Sequence, residues 1–197
     1  IFGSDDMHLL RKCPCPVWLH KPGENVQYKS VLAAVELPDS GEDDADLQQF
    51  IVQLASSLAI ADFSELHVVH ACEIADSGLF GRWAASLNKT EQDYARELRD
   101  HREQAFFRIR DQLKDILGDK TFDHLAPQFY FLMGSAEEVI PVLAKKLQTD
   151  VVVMGTLKRA GIAGLFISNA AEAIIEQLRC SILAVKPAGF KSPVKLI

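Results

Sequence analysis

Val151-Val152-Val153-Met154-Gly155-Thr156 is an apolar run that ends in glycine, and an apolar loop carrying Gly161 separates it from Phe166-Ile167-Ser168-Asn169 and a helix-like stretch. A buried strand that returns through a loop to a helix start offers unpaired N–H groups and a positive dipole end, which suits an anion or a nucleotide phosphate. Other chemistry is sparse. No Walker loop is present. His67 and His70 stand an odd number of residues apart, so a strand sends them to opposite faces. His70 and Cys72 share a face, but two ligands make no metal site. Glu137 and Glu138 read as charges that complement a helix dipole. Cys13-Pro14-Cys15 lacks the spacer of a redox or zinc knuckle and reads as a turn into a strand, while Cys72 and Cys180 read as small hydrophobes.

These residues need elements to hold them. Ser30 to Val35 is a short apolar run suited to a strand covered on both faces. After Pro38-Asp39-Ser40-Gly41, the stretch 44–60 carries Leu47, Phe50, Ile51, Leu54 and Leu58 at helical spacing. Leu66 to Cys72 is a second strand. A glycine-hinged loop then carries Phe80 and Trp83, which read as core-completing aromatics or as a lid over an apolar ligand. Thr90 with Asp93 marks a capping box for a long helix with Tyr94, Leu98, Ala105, Ile109, Leu113 and Ile116 along its stripe. Phe129 to Leu132 is the third strand, and Ser135 with Glu138 opens another capped helix through Leu147. Residues 151–154 form the fourth strand, Asn169 to Leu178 the last helix and Ile182 to Val185 the fifth strand. Strands alternating with helices of this length imply right-handed crossovers, hence an α/β fold with a parallel sheet covered on both faces.

The hydrophobic strand into Met154-Gly155-Thr156, Gly161 in the loop, Ala171-Glu172 opening a helix and Cys180 before the last strand together resemble the signature region of the universal stress protein family. That pattern is Gly, two residues, Gly, nine residues, Gly, then Ser or Thr. Counted from Gly155, the second and third glycine positions hold Lys158 and Ser168, and the hydroxyl position holds Asn169. The resemblance implies an open five-stranded parallel sheet of order 3-2-1-4-5 with helices on both faces, of the adenine nucleotide alpha hydrolase-like type. Ligands of such sheets bind at the switch in strand order, here between strands one and four. That places Glu36, Leu37 and Pro38 opposite Gly155 and Thr156; nucleotide-binding relatives usually carry Asp where Glu36 stands. Glycines let a phosphate approach the backbone closely, and Lys158 and Ser168 restore side chains there. The implied site is Glu36, Leu37, Pro38, Gly155, Thr156, Lys158, Gly161, Ser168 and Asn169, a degenerate nucleotide loop at which ATP binds weakly or not at all. Asn169 also reads as an N-cap.

The first residues repeat the last. Set 165 positions apart without a gap, Gly3-Ser4 falls on Ser168-Asn169, Cys15 on Cys180, Val17-Trp18-Leu19 on Ile182-Leu183-Ala184 and Lys21-Pro22 on Lys186-Pro187. A repeat at that period means two copies of one domain. Residues 1–24 then read as the last helix and strand of an upstream universal stress domain, 29–190 as a complete domain and 191–197 as a tail. The resemblance implies that the fifth strand pairs antiparallel with a counterpart from another domain. Pro16 to His20 would supply it, in the same chain or by exchange in a dimer, burying Trp18 and Leu19; self-association through the fifth strand is the corresponding expectation.

At 197 residues, 48% hydrophobic and 24% charged, the chain is composed like a globular protein. A net charge of −6 argues against general nucleic-acid binding. No apolar run reaches the roughly 18 residues that span a bilayer, so no membrane partner is expected, and a reducing cytoplasm is the default. Three function classes stay open: a stress-response regulator acting through ligand-dependent association, a weak nucleotide hydrolase, and a dimerisation module with an apolar ligand pocket.

Overall fold

Asp150 sets the frame of the sheet. Its carboxylate accepts hydrogen bonds from the backbone N–H groups of Lys29 (2.7 Å) and Ser30 (3.0 Å), and its own N–H donates to the Ser30 carbonyl at 2.9 Å. Two strand starts distant in sequence are thereby locked side by side. The computed structural model describes residues 4–21, 27–37, 42–74, 90–158, 166–192 and 194. In chain order it contains α1 (Ser4–Lys12), β1 (Val17–Leu19), β2 (Ser30–Ala34), α2 (Glu42–Asp62), β3 (Glu65–Cys72), α3 (Glu91–Leu117), α4 (Asp119–Leu125), β4 (Gln128–Met133), α5 (Ala136–Lys146), β5 (Val151–Gly155), β6 (Leu157–Lys158), β7 (Phe166–Ile167), α6 (Asn169–Gln177) and β8 (Ser181–Val185). The aromatic loop anticipated at Phe80 and Trp83, together with Pro38 and Gly161, lies outside the described residues.

The main sheet has six strands, not the expected five. Its order, β1-β8-β5-β2-β3-β4, differs from the expected 3-2-1-4-5 by the addition of β1 at one edge. All pairings are parallel except β1 on β8. β1 covers the backbone edge of β8, which would otherwise stand open for pairing with another strand. Leu10, Val17, Leu19, Ile140, Ile174 and Ile182 fill the core on one face, beneath α1, α5 and α6; Val31, Ile51, Phe106, Leu113 and Val153 fill the other, beneath α2 and α3. His67 packs against Tyr130 and His70 against Phe106 and Phe131, on opposite faces as their spacing requires. Among the described residues no helix is long and apolar enough to cross a membrane.

The capping box at α3 forms: Thr90 Oγ1 accepts from the Asp93 N–H at 3.1 Å and donates to the Asp93 carboxylate at 2.6 Å. At α5 the N-cap is Ser135, but its side chain makes no capping bond. Gly134 before it has φ +132°, and a Cβ there would stand 2.8 Å from Val139 Cγ1, so this turn demands glycine.

The β1–β8 pairing maps onto itself under the 165-residue offset. Val17 faces Ala184 and Leu19 faces Ile182, while Ile182 and Ala184 are the residues equivalent to Val17 and Leu19; Trp18 faces its own equivalent, Leu183. The helices agree to the residue, since Ser4–Lys12 shifted by the same offset is Asn169–Gln177. This is the geometry of a local two-fold contact. Trp18 departs from expectation: it is 45% exposed and stacks on Tyr28, whereas Leu19 is buried. The antiparallel pairing expected between 16–20 and the fifth strand forms within the chain, so β8 has β5 on one side and β1 on the other.

A buried lysine ties α1 to the sheet. Residue Pro14 has no N–H, so the Leu10 carbonyl four positions earlier lacks a helical partner. Lys186 Nζ donates to that carbonyl and to Thr156 Oγ1 at 2.9 Å, and lies 5.3 Å from the Phe190 ring centroid.

Two predictions follow from this packing. Deleting residues 1–22 removes the buried Leu10, Val17 and Leu19, each worth about 1.5–3 kcal/mol, and bares the β8 edge. Urea unfolding should show a clear loss of stability and sedimentation should show association; unchanged unfolding and an unchanged sedimentation coefficient would rule the pairing out as a stabilising contact. The second concerns pH. Burial lowers the pKa of Lys186 from 10.5 to about 8. Below pH 8 the fold bears the full cost of burying the cation, and that cost fades as pH rises to 10.5, where the unfolded chain also loses its proton. The fold therefore gains up to about 3 kcal/mol across this window. Lys186→Met should lack the gain, so the stability difference between parent and variant should change across the window. Cys180, pushed up to about 11 by burial, titrates in both proteins and cancels. Parallel stability curves would contradict the assignment.

Candidate functional site

Where β2 and β5 part at their carboxyl ends, a cleft of about 300 Å³ opens. Its walls come from the end of β2 (Ala34, Val35, Glu36, Leu37), α2 (Leu47, Gln48, Ile51), the end of β3 (His70, Ala71, Glu73), Arg102 of α3, the start of α5 (Ala136, Glu137, Ile140), Met154 and Gly155 of β5, and the start of α6 (Ser168, Ala170, Ala171, Ile174). This is the switch point of the parallel strands.

Local bonds hold each wall. The buried Gln48 accepts the Glu36 N–H at 2.8 Å through Oε1, fixing the backbone as it leaves β2. A Cβ on Gly155 would meet Leu47 Cδ2 at 3.5 Å, an ordinary contact, so this glycine is not forced by crowding from α2. Pro141 inside α5 cannot pair with the Glu137 carbonyl, and Gln177 of α6 donates to it instead at 3.0 Å. One side chain thus fastens together the two helices whose starts face the cleft.

Of the candidates read from the sequence, Glu36, Leu37, Gly155 and Ser168 line the cleft. Thr156 is fully buried outside it and accepts from Lys186. Lys158 belongs to β6, whose backbone pairs antiparallel with β7 through Lys158 opposite Phe166, so it is not part of a free loop. Asn169 is the first residue of α6 and not its N-cap. The N-cap is Ser168, whose Oγ accepts from the Ala171 N–H at 3.0 Å; its own N–H donates to the Thr156 carbonyl at 3.1 Å, which brings its side chain over the helix start. Three carboxylates stand in the first turns here: Glu172 in α6, paired with Arg11, and Glu137 and Glu138 in α5.

Sequence reasoning weighed His70 only as a metal ligand and passed over Gln48, Glu73 and Arg102; all four also line the cleft. The available signal was position, since His70 and Glu73 sit at the carboxyl end of a central strand. His70 is 4% exposed, and its Nδ1 lies 3.0 Å from the Val35 carbonyl. A carbonyl only accepts, so Nδ1 carries the proton and Nε2 is left as an acceptor. Nε2 is buried and has no hydrogen-bond partner among the described residues. Burial holds the His70 pKa below its ordinary 6.5, keeping the ring neutral at pH 7. Burial raises the Cys72 thiol pKa, and the neighbouring Arg102 opposes that shift.

Residues 27–186 match the universal stress protein family. The chain is similar to universal stress protein E of Escherichia coli (strain K12), with 32% identity over 198 residues covering 100% of this chain and 58% of that protein. Similarity to universal stress protein E of Photorhabdus laumondii subsp. laumondii is 31% over 199 residues, covering 99% and 59%. The chain spans just under three fifths of the length of these relatives. Among solved structures, a functionally unknown protein from Pseudomonas aeruginosa PAO1 aligns with a TM-score of 0.65 at 27% identity, covering 95% of this chain and 57% of that one. With residues 27–186, the greater part of its length, matched, the chain belongs to the universal stress protein family.

Proposed function

We propose that this chain is a stress-response regulatory protein whose nucleotide loop is degenerate and which acts through ligand-dependent association. Family membership supports the stress-response role. The observation that carries the rest is the Ser168 cap. A phosphate at the start of α6 would compete with the Ser168 hydroxyl for the Ala171 N–H and would meet the Glu172 carboxylate one turn in. Glu137 opposes it at the start of α5. Both helix starts that could hold phosphate already carry acceptors, and each first-turn carboxylate offsets its dipole.

The reading of residues 1–24 as the end of an upstream domain, followed by a domain over 29–190 and a tail over 191–197, rests on the 165-residue register of helix and strand. Association would use the outer edge of β1, since β8 is paired on both sides. The hydrolase reading would need Glu36 or Lys158 to act on phosphate, and the acceptors at the helix starts disfavour the substrate.

Calorimetry with ATP tests the proposal. The unaltered chain should give weak or no binding, and the double change Lys158→Gly with Ser168→Gly, which frees the Ala171 N–H, should tighten it by about tenfold, or 1.4 kcal/mol. Glycine is an acceptable N-cap that costs a few tenths of a kcal/mol, so the variant should fold. Tight ATP binding by the unaltered chain would overturn the proposal.

A further inference from the structure

We propose that the cleft takes a small organic ammonium ion, an amine with a compact apolar body, and that Nε2 of His70 accepts a hydrogen bond from it. The inference rests on the reading above that this cleft is a ligand site poor in affinity for phosphate. Its charged lining is Glu36, Glu73 and Glu137 against Arg102, three carboxylates to one guanidinium. Carboxylates alone would make only a solvated rim. The independent observation is His70: a neutral ring, 4% exposed, with its proton committed to Val35 and an Nε2 acceptor that has no partner among the described residues. An unmet buried acceptor costs free energy that a ligand N–H can recover. Such an acceptor discriminates by chemistry: it rewards a donor and gives nothing to a carboxylate or phosphate oxygen. The apolar walls, Val35, Leu47, Ile51, Ile140, Met154 and Ile174, suit a compact hydrocarbon or aromatic body, and about 300 Å³ lies at the small end of ligand pockets.

A matched series on the full chain tests this: phenethylamine (cationic), 2-phenylethanol (neutral donor) and phenylacetate (anionic), each titrated by calorimetry at pH 7, with ATP alongside. The ammonium should bind about tenfold more tightly than the alcohol, and the carboxylate should not register. His70→Phe should weaken the ammonium and the alcohol alike, since both donate, and His70→Gln, which restores an acceptor, should recover part of that loss. The Gln variant also decides the matter if the Phe variant does not fold. Equal binding of all three probes, preference for the carboxylate, or no binding of the amine would overturn the proposal while leaving the phosphate-poor reading intact. Ammonium and alcohol affinities unchanged in both variants would overturn the role of His70. Tight ATP binding would instead sink the reading on which this inference rests.

Discussion

The parallel pairing of β2 with β5 is the constraint on which the rest of the architecture depends. These strands start more than a hundred residues apart, and Asp150 fixes their starts by taking two consecutive N–H groups from the β2 lead-in and pairing its own N–H with Ser30. From that line the chain builds outward in opposite directions, β3 and β4 on one side, β8 and β1 on the other. The connections leave the two central strands toward opposite sides, which opens the cleft at their carboxyl ends. Its position is a consequence of sheet order and needs no special loop.

What occupies the cleft is decided by how the surrounding polar groups are already spent. The start of α6 has given one N–H to Ser168, and α5 and α6 each carry a carboxylate in the first turn. Pro141 removes a donor inside α5 and Gln177 crosses over to replace it, so the two helices are tied into one wall. At the end of β3, by contrast, Nε2 of His70 is buried without a hydrogen-bond partner among the described residues. Polar recognition there must come from a donor, which links the sheet's burial pattern to ligand chemistry.

The edge of the sheet is managed by similar economy. β1 covers β8 with three residues, and Lys186 secures the preceding helix by reaching the carbonyl that Pro14 leaves unmatched. Desolvating a lysine without a carboxylate hydrogen-bonded to it is costly, and the lowered pKa records that cost. The same ammonium holds Thr156, which withdraws a hydroxyl from the candidate site and joins the N-terminal segment to the end of β5.

The sequence by itself determined the alternation of strands and helices, the Thr90 capping box, the opposite faces of His67 and His70, the family resemblance and the location of the cleft. These depend on periodicity, nearest-neighbour chemistry and a repeat, all of which can be read along the chain. It also indicated that β1 pairs with β8, while the register, with Trp18 opposite Leu183, came from the tertiary structure. The tertiary structure decided which groups satisfy which. Ser168 and not Asn169 caps α6, Lys158 is drawn into a small ladder, Thr156 turns to Lys186, and His70 loses one nitrogen to Val35 while the other stays unmet. The reason is that a hydrogen-bond partner is chosen by distance in space, and the partners concerned lie 30 to 35 residues away for Thr156 and His70, beyond the reach of any local pattern.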